Sequence, residues 1–109
     1  MARPISRRFL PVTNPDVILC SDTAALARKA AEQFAACASE ARARAGRLAV
    51  ALSGGSTPRT VYTLLASPEF RDRIHWPSVH LFWGDERSVP PDHLDSNFRM
   101  VQETLLAGR

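Results

Sequence analysis

Residues 48 to 62, LAVALSGGSTPRTVY, constrain this chain more than any other stretch. Leu48, Ala49, Val50, Ala51 and Leu52 form an unbroken apolar run, the pattern of a strand covered on both faces in a parallel sheet. Ser53-Gly54-Gly55-Ser56-Thr57 then reads as a tight polar turn. Pro58 suits the first turn of a helix, with Thr57 or Ser56 as its cap. Strand, glycine turn and helix start together make an anion site. The helix start carries unpaired N–H groups and a partial positive charge, and the glycines let backbone approach a ligand closely. The hydroxyls of Ser53, Ser56 and Thr57 add donors for phosphate oxygens. The same pattern also serves as a plain glycine-rich connection that binds nothing. It has neither the Gly-Lys-Ser/Thr ending of a P-loop nor a G-x-G-x-x-G, so it supports no dinucleotide site.

At 109 residues the chain holds one domain at most. Residues 1–15, with Pro4, Pro11 and Pro15, read as an extended leader, and 16–109 as part of one α/β domain. Asp16 to Cys20 is expected as a first strand, and Ser21 or Asp22 as the cap of a long helix reaching about Ala45. The stripe expected to face the core of that helix is Leu26, Ala30, Phe34, Cys37 and Ala41, which makes Cys37 a buried free thiol. Glu40 and Arg44 form an i,i+4 pair, and Gly46 suits the C-cap. A second helix follows from Pro58 to about Ala66, with Val61, Leu64 and Leu65 inward. After a short helical turn around Glu69 to Arg73, Val79 to Gly84 reads as a third strand. A last helix, capped by Asp95 or Ser96, carries Phe98, Val101 and Leu105 on one face. The order βαβαβα predicts a Rossmann-like parallel sheet in a three-layer α/β sandwich, with ligands at the carboxyl ends of its strands.

Two polar loops are expected at that end: the glycine turn, and Asp85 to Asn97 after the third strand. The second loop is stiffened by Pro90 and Pro91. Arg87 can pair bidentately with phosphate, and Asp85 can orient Arg87, accept from a sugar hydroxyl or move a proton. Asp95 reads as a helix cap, whereas Asp92 and Glu86 fit a solvated loop as well as a site. His93 beside Asp92 makes a catalytic dyad only if the geometry joins them. His80 is expected to be packed within its strand and His75 to lie at the surface. The spacing of these histidines and of Cys20 and Cys37 suggests no metal site and no disulfide.

The net charge is +3, and thirteen of the fourteen cations are arginine. They are scattered, with no basic run and no aromatic interleaving, which argues against a nucleic-acid interface; a phosphorylated small molecule needs only one or two of them. No apolar run approaches the roughly 18 residues of a membrane span, and no apolar segment follows Arg3, Arg7 and Arg8 to make a secretory signal. A cytoplasmic location is the default expectation.

Ser53 to Pro58, Trp76 to Val79, Phe82-Trp83-Gly84-Asp85-Glu86-Arg87, Val89 to His93 and Asp95-Ser96-Asn97 closely resemble the 6-phosphogluconolactonase family, from about Asp16 to Leu106. The related glucosamine-6-phosphate isomerases share the sheet, but the wording of the second loop favours the lactonases. The resemblance implies hydrolysis of 6-phospho-D-glucono-1,5-lactone to 6-phosphogluconate, in the oxidative pentose phosphate pathway, without metal or organic cofactor. It implies a sugar-phosphate lactone as the small-molecule partner, held by the Gly54-Gly55-Ser56-Thr57 turn and by Arg87, with Asp85 a polar residue of the site. The family's chains are longer, and its general base is a histidine in a later Gly-x-Gly-x-Asp-Gly-His motif. That motif does not occur in these 109 residues, so no catalytic residue is assigned; Phe98 stands where a tyrosine is common. The alternatives left open are a sugar-phosphate-binding module without turnover and the aminosugar-phosphate isomerase. Three parallel strands with an open apolar edge are expected to leave the piece marginal or prone to aggregate.

Overall fold

The computed structural model describes residues 16–107. The expected leader, residues 1–15, lies outside the described residues. The chain forms α1 (Thr23–Ala45), β1 (Leu48–Leu52), α2 (Ser56–Leu65), α3 (Pro68–Arg71), a 3-10 turn (Trp76–Ser78), β2 (Val79–Trp83) and α4 (Asn97–Thr104). Helix α1 starts where the Asp22 carboxylate accepts from the Ala25 N–H at 2.7 Å. It ends at Gly46, whose φ of 82° closes the helix by donating its N–H to the Arg42 carbonyl, a conformation strained for other residues. The Glu40–Arg44 pair forms at 3.4 Å.

β1 and β2 pair in parallel, from Leu48 opposite Val79 to Leu52 opposite Trp83. Because the register is even, both strands end at the same level. The Gly84 N–H donates to the Leu52 carbonyl at 2.9 Å and carries the pairing one residue further. The glycine turn and the second loop therefore leave the sheet side by side.

Buried residues of all four helices meet on one face of this sheet. Ala31, Ala35, Tyr62, Leu65, Phe70, Val101 and Leu105 pack in one core with Leu52, and Leu48, Val50, Val79, Leu81 and Trp83 line it. At 25 cal/mol or so per Å² of apolar surface, such burial supplies most of what holds a small domain together. Trp83 reaches the start of α4, where its ring lies 5.3 Å from that of Phe98.

Four expectations need correction. Asp16–Cys20 is not a strand: it pairs with neither sheet edge, and Val17, Ile18 and Leu19 stay exposed. Apolar residues favour an extended chain, but a strand exists only where another strand accepts its backbone hydrogen bonds. β1 is covered on one face only; Ala49, Ala51, His80 and Phe82 all lie on the other, exposed face. His80 is therefore exposed rather than packed. On α1 the buried stripe is Ala27, Ala31, Ala35, Ala38 and Ala41, rotated from the expected one, so that Leu26 and Cys37 are exposed. An alanine stripe lets α1 approach its neighbours more closely than a leucine-containing stripe would. No described helix is long and apolar enough to cross a membrane.

Candidate functional site

The turn after β1 is held from behind. The Tyr62 hydroxyl donates to the Ser53 carbonyl at 2.8 Å and accepts from the Ser53 N–H at 3.0 Å, satisfying both backbone groups where the ladder ends. Burial pushes the Tyr62 phenol up from its ordinary value, so it keeps its proton at neutral pH. Gly54 lies against Asn97; a Cβ there would overlap the amide, 2.6 Å from Asn97 Cγ. Gly55, at φ 112°, is the cap of α2 in place of the expected Ser56 or Thr57. No side chain caps this helix and its first turn holds no acid, because Ser56 and Thr57 are already inside it and Pro58 has no N–H to give. The positive end of α2 is left open toward the carboxyl ends of the strands.

The loop after β2 is organised by Glu86. Its Oε1 accepts from the N–H groups of Arg87 and Asn97, both at 2.7 Å. Its Oε2 accepts from the Phe98 N–H and the Ser96 hydroxyl, both at 2.9 Å. The Phe98 and Asn97 amides, foremost, hold this carboxyl at about 2, well below 4.5. Ser96, one of the two expected caps, accepts from the Arg99 N–H at 3.2 Å. Asn97 then turns back: its Nδ2 donates to the Asp85 carbonyl at 3.2 Å and to Asp85 Oδ1 at 3.4 Å.

Between the two loops lies a cleft of about 340 Å³. Gly55, Ser56 and Arg59 line one side, and Arg87, Asp95, Ser96 and Asn97 the other, with Leu94 and Met100. Neither Arg59 nor Arg87 makes an ion pair among the described residues. Two arginines free of ion pairs thus line one cleft with the open start of α2, an arrangement that attracts an anion, and Asp95 lines it with them. A larger hollow of about 680 Å³ between α1 and α2 is lined by Ala24, Ala25, Ala27 and Leu64 together with Arg28, Arg59, Thr60, Thr63 and Ser67. It includes no residue of either strand-end loop, so the smaller cleft is the better candidate site.

Of the residues expected at the site, Gly55, Ser56 and Arg87 line the cleft. Ser53 is tied to Tyr62, Gly54 is covered by Asn97, and Asp85 is engaged by Asn97; these three shape the cleft from behind. Thr57 is exposed in the first turn of α2 and is not part of the lining. The Asp92–His93 dyad does not form: His93 Nδ1 accepts from the Asp95 N–H at 3.0 Å and lies 3.9 Å from Asp95 Oδ2. None of His75, His80 and His93 lines the cleft. Among the described residues no three His, Cys, Asp or Glu side chains gather to hold a metal.

Sequence reasoning passed over Arg59 and Tyr62 and gave Asn97 no role. Arg59 had a readable signal, a cation three residues after Ser56 and so on the same helix face. Tyr62 had a weaker one, a hydroxyl placed among core positions one turn further on.

Residues 21–109 match the family described as glucosamine-6-phosphate isomerases/6-phosphogluconolactonase. A 6-phosphogluconolactonase of Nostoc sp. is 48% identical over 61 residues, 56% of this chain and 24% of the relative. A rice protein named "Probable 6-phosphogluconolactonase 3, chloroplastic" is 42% identical over 82 residues, 75% of this chain and 25% of its own. The solved 6-phosphogluconolactonase of Trypanosoma cruzi superposes with a TM-score of 0.76 at 33% identity, covering 85% of this chain and 35% of that one. The chain thus spans about a quarter of the length of these curated relatives and about a third of the solved structure.

Proposed function

From the chain's membership of the glucosamine-6-phosphate isomerase/6-phosphogluconolactonase family, we propose that it supplies the sugar-phosphate-binding part of a 6-phosphogluconolactonase, acting in the hydrolysis of 6-phospho-D-glucono-1,5-lactone to 6-phosphogluconate. Residues 16–109 are, in this reading, the N-terminal part of the larger α/β domain. The observation that carries it is that Arg59, Arg87 and the uncapped start of α2 line one cleft. The phosphate lies there, with the Ser56 N–H and hydroxyl as donors and the two guanidiniums on either side. Gly54, Gly55 and Thr57 complete the turn. Ser53, fixed by Tyr62, and Asp85, fixed by Asn97, set the floor on which the sugar rests. The lactonase is preferred to the aminosugar isomerase because the relatives above carry the lactonase name.

These residues bind and orient. Lactone opening also needs water activated beside the carbonyl, and no histidine lines the cleft, so binding without turnover is the expected behaviour of this set of residues. We place the protein in the cytoplasm, although the name of the rice relative assigns that protein to the chloroplast.

Calorimetric titration with 6-phosphogluconate and with gluconate tests the reading. The phosphorylated compound is expected to bind and gluconate to bind much more weakly. Arg87→Ala is expected to weaken 6-phosphogluconate about tenfold or more, roughly the 1.4 kcal/mol of one charge-assisted contact. Equal binding of the two compounds, or an unchanged affinity in Arg87→Ala, overturns it.

A further inference from the structure

Two helix N-termini border the cleft, and they are treated in opposite ways. The start of α2 has only the Gly55 backbone as its cap and no acid in its first turn. The start of α4 is filled: Ser96 Oγ takes the Arg99 N–H, and the Glu86 carboxylate takes those of Asn97 and Phe98. This is not a local capping pair. Glu86 lies 11 and 12 residues earlier, on the loop leaving β2, and reaches across to a helix it does not belong to. The same carboxylate accepts from the N–H of Arg87, one of the two cleft guanidiniums. It thus couples the orientation of Arg87 to the position of Asn97, which covers Gly54 and holds Asp85.

The electrostatic consequence concerns selection between the two ends. Two open helix starts on one cleft offer an incoming anion two competing positions, and a sugar phosphate bound to the wrong one lies turned around. We propose that Glu86 is a specificity-determining positioning residue: an internal anion that occupies the start of α4, confines a substrate phosphate to the α2 side, and fixes Arg87 and Asn97 on the opposite wall. The inference rests on the reading of the cleft given above. The backbone amides around the carboxyl hold it ionised throughout the neutral range, so this occupant is permanent rather than a switch.

The probe is inorganic phosphate, followed by the backbone amide signals of the ¹⁵N-labelled chain. In the wild type the amides of Ser56, Thr57 and Arg59 shift and saturate, while those of Asn97 and Phe98 do not respond. In Glu86→Ala the Asn97 and Phe98 amides acquire a saturable response to phosphate, and in Glu86→Asp, which restores the charge, they lose it again. A purely structural cap moves these signals on substitution but confers no new phosphate response. If Glu86→Ala does not fold, Glu86→Gln gives the same readout at Phe98 or Asn97, because its carboxamide keeps one accepting oxygen and leaves one of those two N–H groups facing an NH2. A response of Asn97 and Phe98 in the wild type, or silence there in folded Glu86→Ala or Glu86→Gln, overturns the proposal. Silence of Ser56, Thr57 and Arg59 in the wild type together with a new response in the variant removes the α2 phosphate position and the confinement to it, and leaves Glu86 only as the occupant of the α4 start.

Discussion

One phenol governs the shape of the glycine turn. Tyr62 satisfies both backbone groups of Ser53, so Tyr62→Phe leaves a part-buried donor and acceptor without partners. The expected cost is about 1–3 kcal/mol, measured by urea denaturation, with faster hydrogen exchange at Ser53 than in the wild type. Glu86 gives a second prediction at this scale. Its carboxyl titrates at about 2 in the folded chain against 4.5 ordinarily, so the folded state binds this proton less readily than the unfolded one. Its stabilising contribution is complete above about 4.5 and is lost as the pH falls toward 2. The stability difference between wild type and Glu86→Gln is therefore expected to be constant near neutrality and to shrink between those two values; a difference that grows on acidification contradicts it. Glu86 and Asn97 were visible in the sequence as polar loop residues. Their partners were not, because the hydrogen bonds join positions 11 or 12 residues apart that only folding brings together.

Among the elements, α1 shows most clearly how packing overrides pattern. Its sequence carries two overlapping apolar stripes, one through Leu26, Phe34 and Cys37 and one of alanines. Hydrophobicity favours the first. The structure buries the second, since Ala31 is fully inaccessible while Leu26 keeps 41% of its surface exposed. Ala31→Leu is accordingly expected to overpack the contact with its neighbours and to cost about 1–3 kcal/mol by urea denaturation. Leu26→Ala removes the larger side chain and is expected to change stability by no more than about 0.5 kcal/mol. The reverse ranking places the helix in the other orientation. The ends of this helix needed no such correction, because Asp22 and Gly46 act through local backbone geometry that a few neighbouring residues determine.

For the molecule as a whole, the uncovered sheet face matters most. Ala49, Ala51 and Phe82 present apolar surface beside His80, and Phe82 keeps 58% of its area exposed. Val17 and Leu19, at 73% and 91%, add to the exposed apolar surface. Such surface favours association between copies. Sedimentation velocity of this chain is expected to show concentration-dependent association, which Phe82→Glu reduces without lowering the unfolding midpoint. A monomer at all concentrations in the wild type removes this expectation.

The sequence by itself determined the local grammar of the fold: the glycine turn after β1 with a helix beyond it, though not that helix's cap, both ends of α1, the Ser96 cap of α4, and a parallel α/β sheet. Each depends on residues within about one helical turn of one another or on a repeating pattern, so short stretches suffice to read them. Tertiary structure decided which stripe of α1 is buried, which sheet face stays bare, and that Asp16–Cys20 finds no strand to pair with. It alone brought Arg59 opposite Arg87 and placed Glu86 at the start of α4. Those outcomes depend on what lies across from a residue in space, and no local pattern specifies a neighbour that is distant along the chain.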